Sequence, residues 1–287
     1  MDLKINLKPV LVVITLIAMV LGSVTMYSAE TYYIYEDYIY RDVDYNADTV
    51  AFCGTTEETE SLTVPDTIGV KTVVEIDDYA FRNNTALRTI DLSQAVHLEE
   101  IGIGAFRGCT ALESLTVPET VNHLPQYMLT DCGSLQSLKV NMAAGIIPDE
   151  MCNRCSSLQS FEVPASVREI RRFAFGDCTS LTRVDIPSGV TTIASSAFYN
   201  CPNLTIYCRE GSYAHEYAAE HSIPVRLIST GDVNRDYTVN IDDATEIQKS
   251  LAEIILFDDE QTALADVDGD GEVSISDATA VQFMIAR

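Results

Sequence analysis

Oxygen-bearing side chains recur at fixed intervals in two twelve-residue segments, one beginning at Asp232 and the other at Asp266. In each segment they occupy positions 1, 3, 5, 9 and 12, and position 7 can contribute a backbone carbonyl. A hard divalent cation takes about six to eight oxygen ligands, and a loop of this length that runs into a helix supplies them at this spacing. We therefore expect two calcium ions. The expected ligands are Asp232, Asn234, Asp236, Thr238, Asn240 and Asp243 in the first loop, and Asp266, Asp268, Asp270, Glu272, Ser274 and Asp277 in the second.

The two segments are copies of one unit, a loop followed by a helix. Ten of 22 aligned positions are identical between residues 232–253 and 266–287, and apolar residues follow each loop at three- and four-residue intervals. A solvated acidic linker would explain the charge but not the duplication. At position 6 the first loop has Tyr237 and the second has Gly271. A positive φ there costs a residue other than glycine on the order of 1 kcal/mol, so we expect the second loop to bind more tightly.

These units depart from an ordinary EF-hand, because Asp rather than Glu stands at position 12 and no helix fits before the first loop. Residues 231–287 begin with Gly-Asp-Val-Asn and contain the loop–helix unit twice. In both features they resemble a type I dockerin. The resemblance implies a small all-α calcium-binding domain that binds a cohesin module of a scaffolding protein, as in the cellulosomes of bacteria that degrade plant fibre. It also implies partner contacts at loop positions 10 and 11 and early in each helix. These residues are Ile241, Asp242, Gln248, Lys249, Ile275, Ser276, Gln282 and Phe283.

Two aspects of this implied contact surface stay open at the level of sequence. Ile241 and Ile275 fit packing in a core as well as contact with a partner. The helices differ where Lys249 in the first corresponds to Phe283 in the second, so the sequence does not predict equivalent binding through both units.

A second periodicity occupies the central part of the chain. Five cysteines recur every 23 residues, with a leucine three positions after each and an isoleucine or leucine eight positions before. Short segments such as residues 112–117 alternate apolar and polar residues in the manner of a strand. An earlier copy has Asn84 in the cysteine column. Six copies at a near-constant period predict a solenoid with one strand per copy in a parallel sheet. The column cysteines are Cys109, Cys132, Cys155, Cys178 and Cys201.

The repeat unit, of which residues 101–112 are one copy, resembles the BspA-type leucine-rich repeats of bacterial surface proteins over roughly residues 61–228. The third and fourth copies depart from it, because Leu129 and Cys152 replace the phenylalanine found three positions before the column cysteine in other copies. We expect looser packing there. The fold class expected for the whole chain is an α/β repeat solenoid with a parallel sheet of leucine-rich repeats, followed by the small all-α dockerin-like domain.

The N-terminal residues have the pattern of an export signal. Lys4 and Lys8 precede an apolar run over residues 10–21, which is too short to span a bilayer comfortably. A retained membrane anchor is the alternative to cleavage. We expect residues 1–29 to be a signal peptide, 30–60 to cap the repeats, 61–228 to form the repeat array with its C-terminal cap, and 231–287 to form the dockerin-like domain.

The eight cysteines of an exported chain usually indicate disulfides. Because five of them occupy one column, we expect them instead to point into the solenoid as small apolar fillers that stay reduced. Cys152 and Cys155 have the spacing of a redox or zinc pair, but each fills a repeat position and no second pair follows. Cys53 and Cys208 lie outside the column, at opposite ends of the array.

Charge and motifs exclude several functions. The 18 Lys and Arg against 43 Asp and Glu give a formal charge of −25, which would repel nucleic acids and anionic membrane surfaces. The sequence has no G-x-S-x-G and no glycine-rich phosphate loop before a helix. His215 and His221 resemble a zinc-protease helix, but six positions place them about 240° apart around a helix. His97 and His123 belong to no motif, and the repeats leave no room for a separate catalytic domain.

The expected function is that of a secreted, non-catalytic adaptor with no catalytic residues. It would attach to a cohesin-bearing scaffold through calcium-dependent docking and present the repeat surface to an unknown protein or cell-surface ligand. One alternative is an enzymatic role in polysaccharide degradation, since most dockerin-bearing proteins are glycoside hydrolases. Another is a structural spacer or adhesion protein. We expect localisation outside the cell, at the surface or in a cellulosome.

Overall fold

The computed structural model describes residues 31–43, 48–141 and 143–286, so the expected signal segment lies outside the described residues. Short strands dominate the first three quarters of the described chain, and three of the four helices lie after residue 240. The strands are β1 Tyr32–Tyr35, β2 Tyr38–Asp42, β3 Thr49–Thr55, β4 Ser61–Thr63, β5 Thr67–Ile68, β6 Lys71–Ile76, β7 Thr89–Asp91, β8 Glu100–Ile101, β9 Ser114–Val117, β10 Ser137–Val140, β11 Ile146–Ile147, β12 Ser160–Glu162, β13 Glu169–Ile170, β14 Arg183–Asp185, β15 Thr192–Ile193, β16 Thr205–Arg209 and β17 Val225–Ile228. The helices are α1 Tyr213–Glu220, α2 Ile241–Leu251, α3 Asp259–Ala265 and α4 Ile275–Ile285.

An antiparallel hairpin leads into the repeats. β1 pairs with β2 so that Tyr33 lies opposite Tyr40, and the two rings stack with centroids 5.4 Å apart. β2 pairs antiparallel with β3, which in turn pairs parallel with β6. The hairpin therefore joins an antiparallel ribbon to the parallel stack, and its inner ring Tyr40 is buried against the core.

The repeats stack as parallel strands, as the 23-residue period predicts. One sheet has the order β10-β9-β7-β4, another the order β12-β14-β16-β17, and a third the order β11-β13-β15. In β9 the side chains of Leu115 and Val117 are buried, whereas Ser114 and Thr116 are exposed. This alternation follows from the pleat of a strand with one face on the core. The chain is thus a solenoid of leucine-rich repeats with a small helical region at its C-terminal side.

The column cysteines are free and point into the core. Each thiol donates a hydrogen bond to a backbone carbonyl of the preceding copy, at the residue three positions before that copy's column position, with S···O distances of 3.0–3.2 Å. Burial raises the pKa of Cys109 to about 12 and of Cys201 to about 11. The small buried thiol thus adds a second hydrogen bond to carbonyls that, in four of the five cases, also accept a backbone N–H from their own copy. The column cysteines therefore join each copy to the preceding one as well as filling the core.

The strand ladder is interrupted at the third and fourth copies. Among the described residues, β10 pairs only with β9, and β12 pairs only with β14. In the neighbouring sheet the Ala194 N–H donates to the Ile170 carbonyl at 2.8 Å, but Pro125 and Pro148 occupy the equivalent position and have no N–H. The core itself is continuous here, because the side chains that replace Ala and Phe are fully buried. These are Met128, Leu129, Met151 and Cys152.

The C-terminal end of the array is capped by β16, α1 and β17. Ser212 caps α1 by accepting a hydrogen bond from the His215 N–H at 3.3 Å. Tyr217 of α1 packs edge-on against Phe198, with ring centroids 6.1 Å apart. β17 then extends the sheet beside β16 in parallel. The helix covers apolar side chains of the last repeat, which would otherwise face solvent.

The residues after β17 form a second, small core between α2 and α4. Buried or nearly buried apolar side chains from both helices and both loops meet there. A short helix, α3, lies between the two loop–helix units, where the sequence had indicated only a linker. No helix of the described chain has both the length and the apolar composition needed to cross a membrane. The buried members of this core are Val233, Ala244, Ile247, Ala265, Ala278 and Val281.

Candidate metal centre

Helix caps fix the end of each acidic loop. Asn240 is the N-cap of α2, where its Oδ1 accepts from the Asp242 N–H at 2.7 Å, and Asp243 Oδ2 accepts from the Asn240 N–H at 2.8 Å. Ser274 and Asp277 form the same reciprocal arrangement at the start of α4. Such a capping box satisfies free N–H groups at a helix N-terminus. Loop positions 9 and 12 are therefore held by the helix that follows.

The carboxylate at position 12 also holds the beginning of each loop. Asp243 Oδ1 accepts from the N–H groups of Val233 and Asn234 at 2.8 and 3.0 Å. Asp277 Oδ1 accepts from the corresponding amides at 2.7 and 3.1 Å. Burial alone would raise the pKa of Asp277, but these backbone donors and Ser274 outweigh it and hold the pKa below its ordinary value. Position 12 thus closes the loop through hydrogen bonds to its opposite end.

The carboxylate at position 1 leaves one oxygen without a partner in both loops. Asp232 Oδ2 accepts from the Tyr237 N–H at 2.9 Å, and Asp266 Oδ2 accepts from the Gly271 N–H at 3.1 Å. Oδ1 of each aspartate is buried and has no hydrogen-bond partner among the described residues. Burial, and then the charge of Asp243, raise the pKa of Asp232. A buried carboxylate oxygen without a partner is costly, and a bound cation would satisfy it, so both loops fit calcium.

The second loop gathers its carboxylates more closely than the first. Oxygens of Asp266, Asp268 and Asp270 all lie within 4.8 Å of one another. In the first loop, Asn234 stands at position 3, and its Nδ2 donates to Asp236 Oδ2 at 3.2 Å. An amide offers one neutral acceptor where the second loop offers a charged carboxylate. The second loop therefore concentrates more negative charge around the point where a cation would bind.

The remaining expected ligands lie on the outer side of the loops. Asn240 Nδ2 donates to the Thr238 carbonyl at 3.0 Å, so position 9 of the first loop contacts position 7. The backbone N–H groups of Thr238 and Glu272 donate to the carboxylates at position 5, at 2.8 and 2.9 Å. Thr238 and Glu272 are exposed. The structure thus brings the oxygens of Asp266, Asp268 and Asp270 together, and it places the other expected ligands in the same two loops.

Position 6 takes a positive φ in both loops, 69° at Tyr237 and 91° at Gly271. The Tyr237 side chain leaves its own loop and contacts the repeat array. Its hydroxyl hydrogen-bonds to Asp185 and accepts from Arg183 Nη2 at 2.8 Å. Its ring lies 4.7 Å from that of Tyr207, and the Arg183 guanidinium lies over both rings. Sequence reasoning had assigned only a conformational cost to Tyr237, whereas the structure gives it a binding role between the two parts of the chain.

A second contact joins the two parts through α3. Glu260 is buried, and its Oε2 accepts from the Ser188 N–H at 2.7 Å and from the Ser188 hydroxyl at 3.3 Å. Arg209 Nη2 donates to the Ala263 carbonyl at 3.4 Å. The loop–helix units are therefore docked on the last repeats rather than suspended from a free linker. Nothing in the local sequence around Glu260 indicated this contact.

The implied partner-contact residues lie at the surface of α2 and α4. Ile241 is 52% exposed, Ile275 is 62% exposed and Phe283 is 68% exposed, so the alternative of core packing does not hold for the two isoleucines. Lys249 is only partly exposed, and its Nζ donates to Glu246 Oε1 at 2.8 Å within α2. The polar members of the set are exposed as well, namely Asp242, Gln248, Ser276 and Gln282.

The histidines do not come together. His215 Nδ1 accepts from the Gly211 N–H at 3.1 Å, whereas His221 Nδ1 lies 2.8 Å from the Tyr217 carbonyl. His97 pairs with Asp66, and His123 lies near Glu100. Each contact is local to its own part of the fold, so the histidines do not converge on a shared site.

Comparison with known families gives two matches along the chain. The model described as BspA type leucine rich repeat region matches with six copies, over residues 48–155 and 74–205, which is more than half of the chain. The model described as dockerin type I domain matches residues 230–285. Among curated proteins, none matches this chain.

Solved structures of leucine-rich repeat proteins are similar to the array. The leucine rich repeat protein of T. pallidum is 27% identical, with a TM-score of 0.55, and the match covers 60% of this chain and 78% of that one. A leucine-rich repeat protein of Eubacterium ventriosum is 23% identical, with a TM-score of 0.46, and the match covers 57% of this chain and 44% of that one. The first similarity agrees with the repeat stack described above.

Proposed function

Because the chain belongs to the BspA-type leucine-rich repeat proteins and carries a type I dockerin domain, we propose that it is an exported adaptor that docks on a cohesin-bearing scaffold. Its repeat surface would then recognise a protein or another cell-surface ligand. The observation that supports docking through calcium-loaded loops is the pair of buried, unpartnered oxygens on Asp232 and Asp266. They lie at the same position in two duplicated loops, where a cation would satisfy both.

Calcium would be held by the twelve loop residues named above, six in each loop. When bound, the ion supplies positive charge that offsets the repulsion among the clustered carboxylates. The chain's own contribution is to close each loop through Asp243 or Asp277 and to begin a helix directly after it. Because these contacts form only when the loop is closed, metal binding contributes to the folding free energy of this domain.

The cohesin-contact surface would be the exposed side of α2 and α4. Exposed apolar side chains such as Ile241, Ile275 and Phe283 support this assignment, since a small domain gains nothing from exposing them to water. Phe283 in place of Lys249 makes the second unit the more apolar of the two. The polar contact residues that would surround them are Asp242, Gln248, Ser276 and Gln282, with Lys249 at the edge.

We further propose that the role is non-catalytic, which the nature of the two modules supports. Leucine-rich repeats and dockerins are both binding modules. The proposed organisation is a signal peptide over residues 1–29, an N-terminal cap over 30–60, the array over 61–228 and the dockerin over 231–287. The outward strand positions, such as Ser114 and Thr116, offer small polar groups suited to a protein ligand.

Isothermal titration against a panel of cohesins, in calcium and in excess chelator, tests the docking function. We expect binding in calcium only. Asp266→Ala should weaken it more than Asp232→Ala, by on the order of tenfold, because the second loop has the additional carboxylate Asp268 and the permissive Gly271. The exposed acidic Glu119 lies in the array, and Glu119→Ala is the control that should bind normally. Cohesin affinity that is unchanged in chelator would refute the proposal.

A further inference from the structure

The boundary between the third and fourth copies lacks the backbone hydrogen bonds that join strands on either side of it. Between the fourth and fifth copies the Thr182 N–H donates to the Gln159 carbonyl at 2.9 Å, and β12 pairs with β14. Within the described chain, the corresponding bond from Gln159 to Gln136 is missing, and β10 does not pair with β12. The facing edges of these two strands therefore do not hold the copies together.

The neighbouring sheet is open at the same boundary. Between the fourth and fifth copies the Arg171 N–H donates to the Ile147 carbonyl at 2.9 Å, and β11 pairs with β13. The equivalent donor between the third and fourth copies would be at Pro148, which has no N–H. Among the described strands, β11 pairs with β13 alone. Both sheets of the array thus lack bonds between the same two copies.

The turn segments that lead to the column cysteines remain joined across this boundary. These segments are residues 126–133 in the third copy and 149–156 in the fourth. Backbone N–H groups of Tyr127, Leu129 and Asp131 donate to carbonyls of the fourth copy at 2.8–3.2 Å. Arg154 also forms an ion pair with Asp131, with Nη2 3.0 Å from Oδ2. The hydrogen bonds between the two copies are therefore concentrated along the turn segments.

The packed aromatic rings of the core form two groups, one on each side of this boundary. Ring centroids are 5.5–5.8 Å apart in the N-terminal group and 5.0–5.5 Å apart in the C-terminal group. Among the described residues, no ring pair joins one group to the other, so aromatic packing does not fix the two halves of the array against each other. The N-terminal group consists of Phe52, Phe81 and Phe106, and the C-terminal group consists of Phe161, Phe175 and Phe198.

Methionine side chains fill part of the core between the two aromatic groups. Met128 and Met151 are fully buried and occupy the position that Ala105 and Ala174 hold in neighbouring copies. Methionine is unbranched, so it adapts to a changed surrounding more readily than a branched or aromatic side chain. The core at this boundary can therefore stay closed while the two copies change their relative placement.

The dockerin is attached to the array on the C-terminal side of the boundary. Tyr237 binds Arg183 of β14, and Glu260 binds Ser188 directly after it. A cleft of about 830 Å³ lies between the two halves, lined by residues 138–141 on the N-terminal side and by β12, β14 and the dockerin on the other. The cleft therefore opens where the pairing of strands is interrupted.

We propose that the array bends at this boundary, as two rigid bodies joined by a hinge along the turn segments. One body is the N-terminal hairpin with the first three copies, and the other is the last three copies with the docked dockerin. Bending changes the gap between β10 and β12 and the width of the cleft. Relative motion of two modules is usually expected at the linker between them. In this chain the dockerin moves with its half of the array, and the flexible point lies within the array.

Distances between spin labels test the inference on the calcium-loaded full-length chain. The labels are carried by p-acetylphenylalanine, so the native cysteines are not modified. One pair replaces Asp91 and Arg226 on the strand side, and the other replaces Arg82 and Tyr199 on the turn side. All four positions are exposed, and both pairs span the boundary. We expect double electron–electron resonance to give a distance distribution at least about twice as wide for the strand-side pair, because displacement grows with distance from a hinge.

Two variants should stiffen the hinge. Pro148→Ala provides an N–H opposite the Leu124 carbonyl, and Leu129→Phe continues the N-terminal aromatic group beyond Phe106. Each should narrow the strand-side distribution towards the turn-side width. Pro125→Ala is the matched control, because it provides the same donor between the second and third copies, where β9 and β10 are already paired. It should leave the strand-side width unchanged.

Equal widths for the two labelled pairs would overturn the inference. A strand-side width that neither Pro148→Ala nor Leu129→Phe reduces would also overturn it, and so would an equal reduction by Pro125→Ala, because the motion would then not arise at this boundary. The measurement requires no cohesin, so its result is independent of the proposed docking function.

Discussion

Tyr237 has an unfavourable backbone conformation, and its side chain also connects the dockerin to the repeat array. Its positive φ of 69° disfavours tyrosine, but its hydroxyl and ring bind Arg183, Asp185 and Tyr207 of the array. We expect Tyr237→Gly to tighten calcium binding at the first loop by on the order of fivefold, since relief of about 1 kcal/mol corresponds to that factor. The same change should loosen the dockerin on the array. Calcium titration and hydrogen exchange of residues 205–209 measure the two effects.

Tyr237→Phe is the matched control for this residue. It keeps the ring and the backbone strain but loses the hydroxyl. The affinity of the first loop for calcium should therefore be unchanged, and hydrogen exchange of residues 205–209 should rise modestly. Weaker calcium binding in Tyr237→Gly would contradict the view that strain, rather than the contact with the array, limits the first loop.

Glu75 gives the N-terminal end of the array a dependence on pH. Its Oε1 lies 2.6 Å from Arg41 Nη2, but burial raises its pKa from 4.5 to about 7, with Asp77, Asp78 and Glu100 adding to the rise and Arg41 opposing it. Because the folded state favours the protonated form, the stability that this group contributes is present below pH 4.5 and is lost as the pH rises through about 7.

Glu75→Gln should therefore remove part of the loss of stability between about pH 5 and pH 8, on the order of 1 kcal/mol after screening. Urea unfolding of the variant and of the unaltered chain at several pH values measures the difference. The exposed Glu119→Gln should follow the unaltered chain. A difference between Glu75→Gln and the unaltered chain that stays constant with pH would rule out this assignment.

At the scale of elements, aromatic rings packed against one another hold adjacent repeats together. Phe175 is fully buried between Phe161 and Phe198, with ring centroids 5.0 and 5.5 Å away. Phe173, two positions earlier, is 37% exposed and contacts Tyr199 at the surface. We expect Phe175→Ala to lower the free energy of unfolding by about 3–5 kcal/mol and Phe173→Ala by about 1 kcal/mol or less. Equal losses in chemical denaturation would show that burial is not the cause.

At the scale of the whole molecule, removal of calcium should separate the two parts. Without the cation, the carboxylates of each loop repel one another, and the buried oxygens of Asp232 and Asp266 lose their partner. We expect chelator to abolish amide protection in α2 and α4 and to raise exchange at Ser188, which Glu260 no longer holds. Repeats before β12 should keep their protection, because they contain no cluster of loop ligands in the described chain. Helices that stay protected in chelator would contradict this dependence.

The sequence alone determined those features that depend on the spacing of residues along the chain. The 23-residue period specifies a parallel stack, since each copy must bury the same apolar positions against the next. The spacing of Asp266, Asp268 and Asp270 specifies a loop that gathers oxygens, since the turns within it are local. The reduced cysteine column also followed from position alone, although its hydrogen bonds to the preceding copy did not.

Only the tertiary structure decided how the two modules meet. Tyr237 and Asp185 are 52 residues apart, and Glu260 and Ser188 are 72 apart, so no local pattern joins them. The number of stacked repeats and the turn after β17 set which strands lie opposite the loops. The interruption between β10 and β12 was also visible only in the structure, although Pro125 and Pro148, which remove donors from the neighbouring sheet at the same copies, are present in the sequence. The contacts between the two modules are therefore decided by three-dimensional packing, because they join residues that lie far apart along the chain.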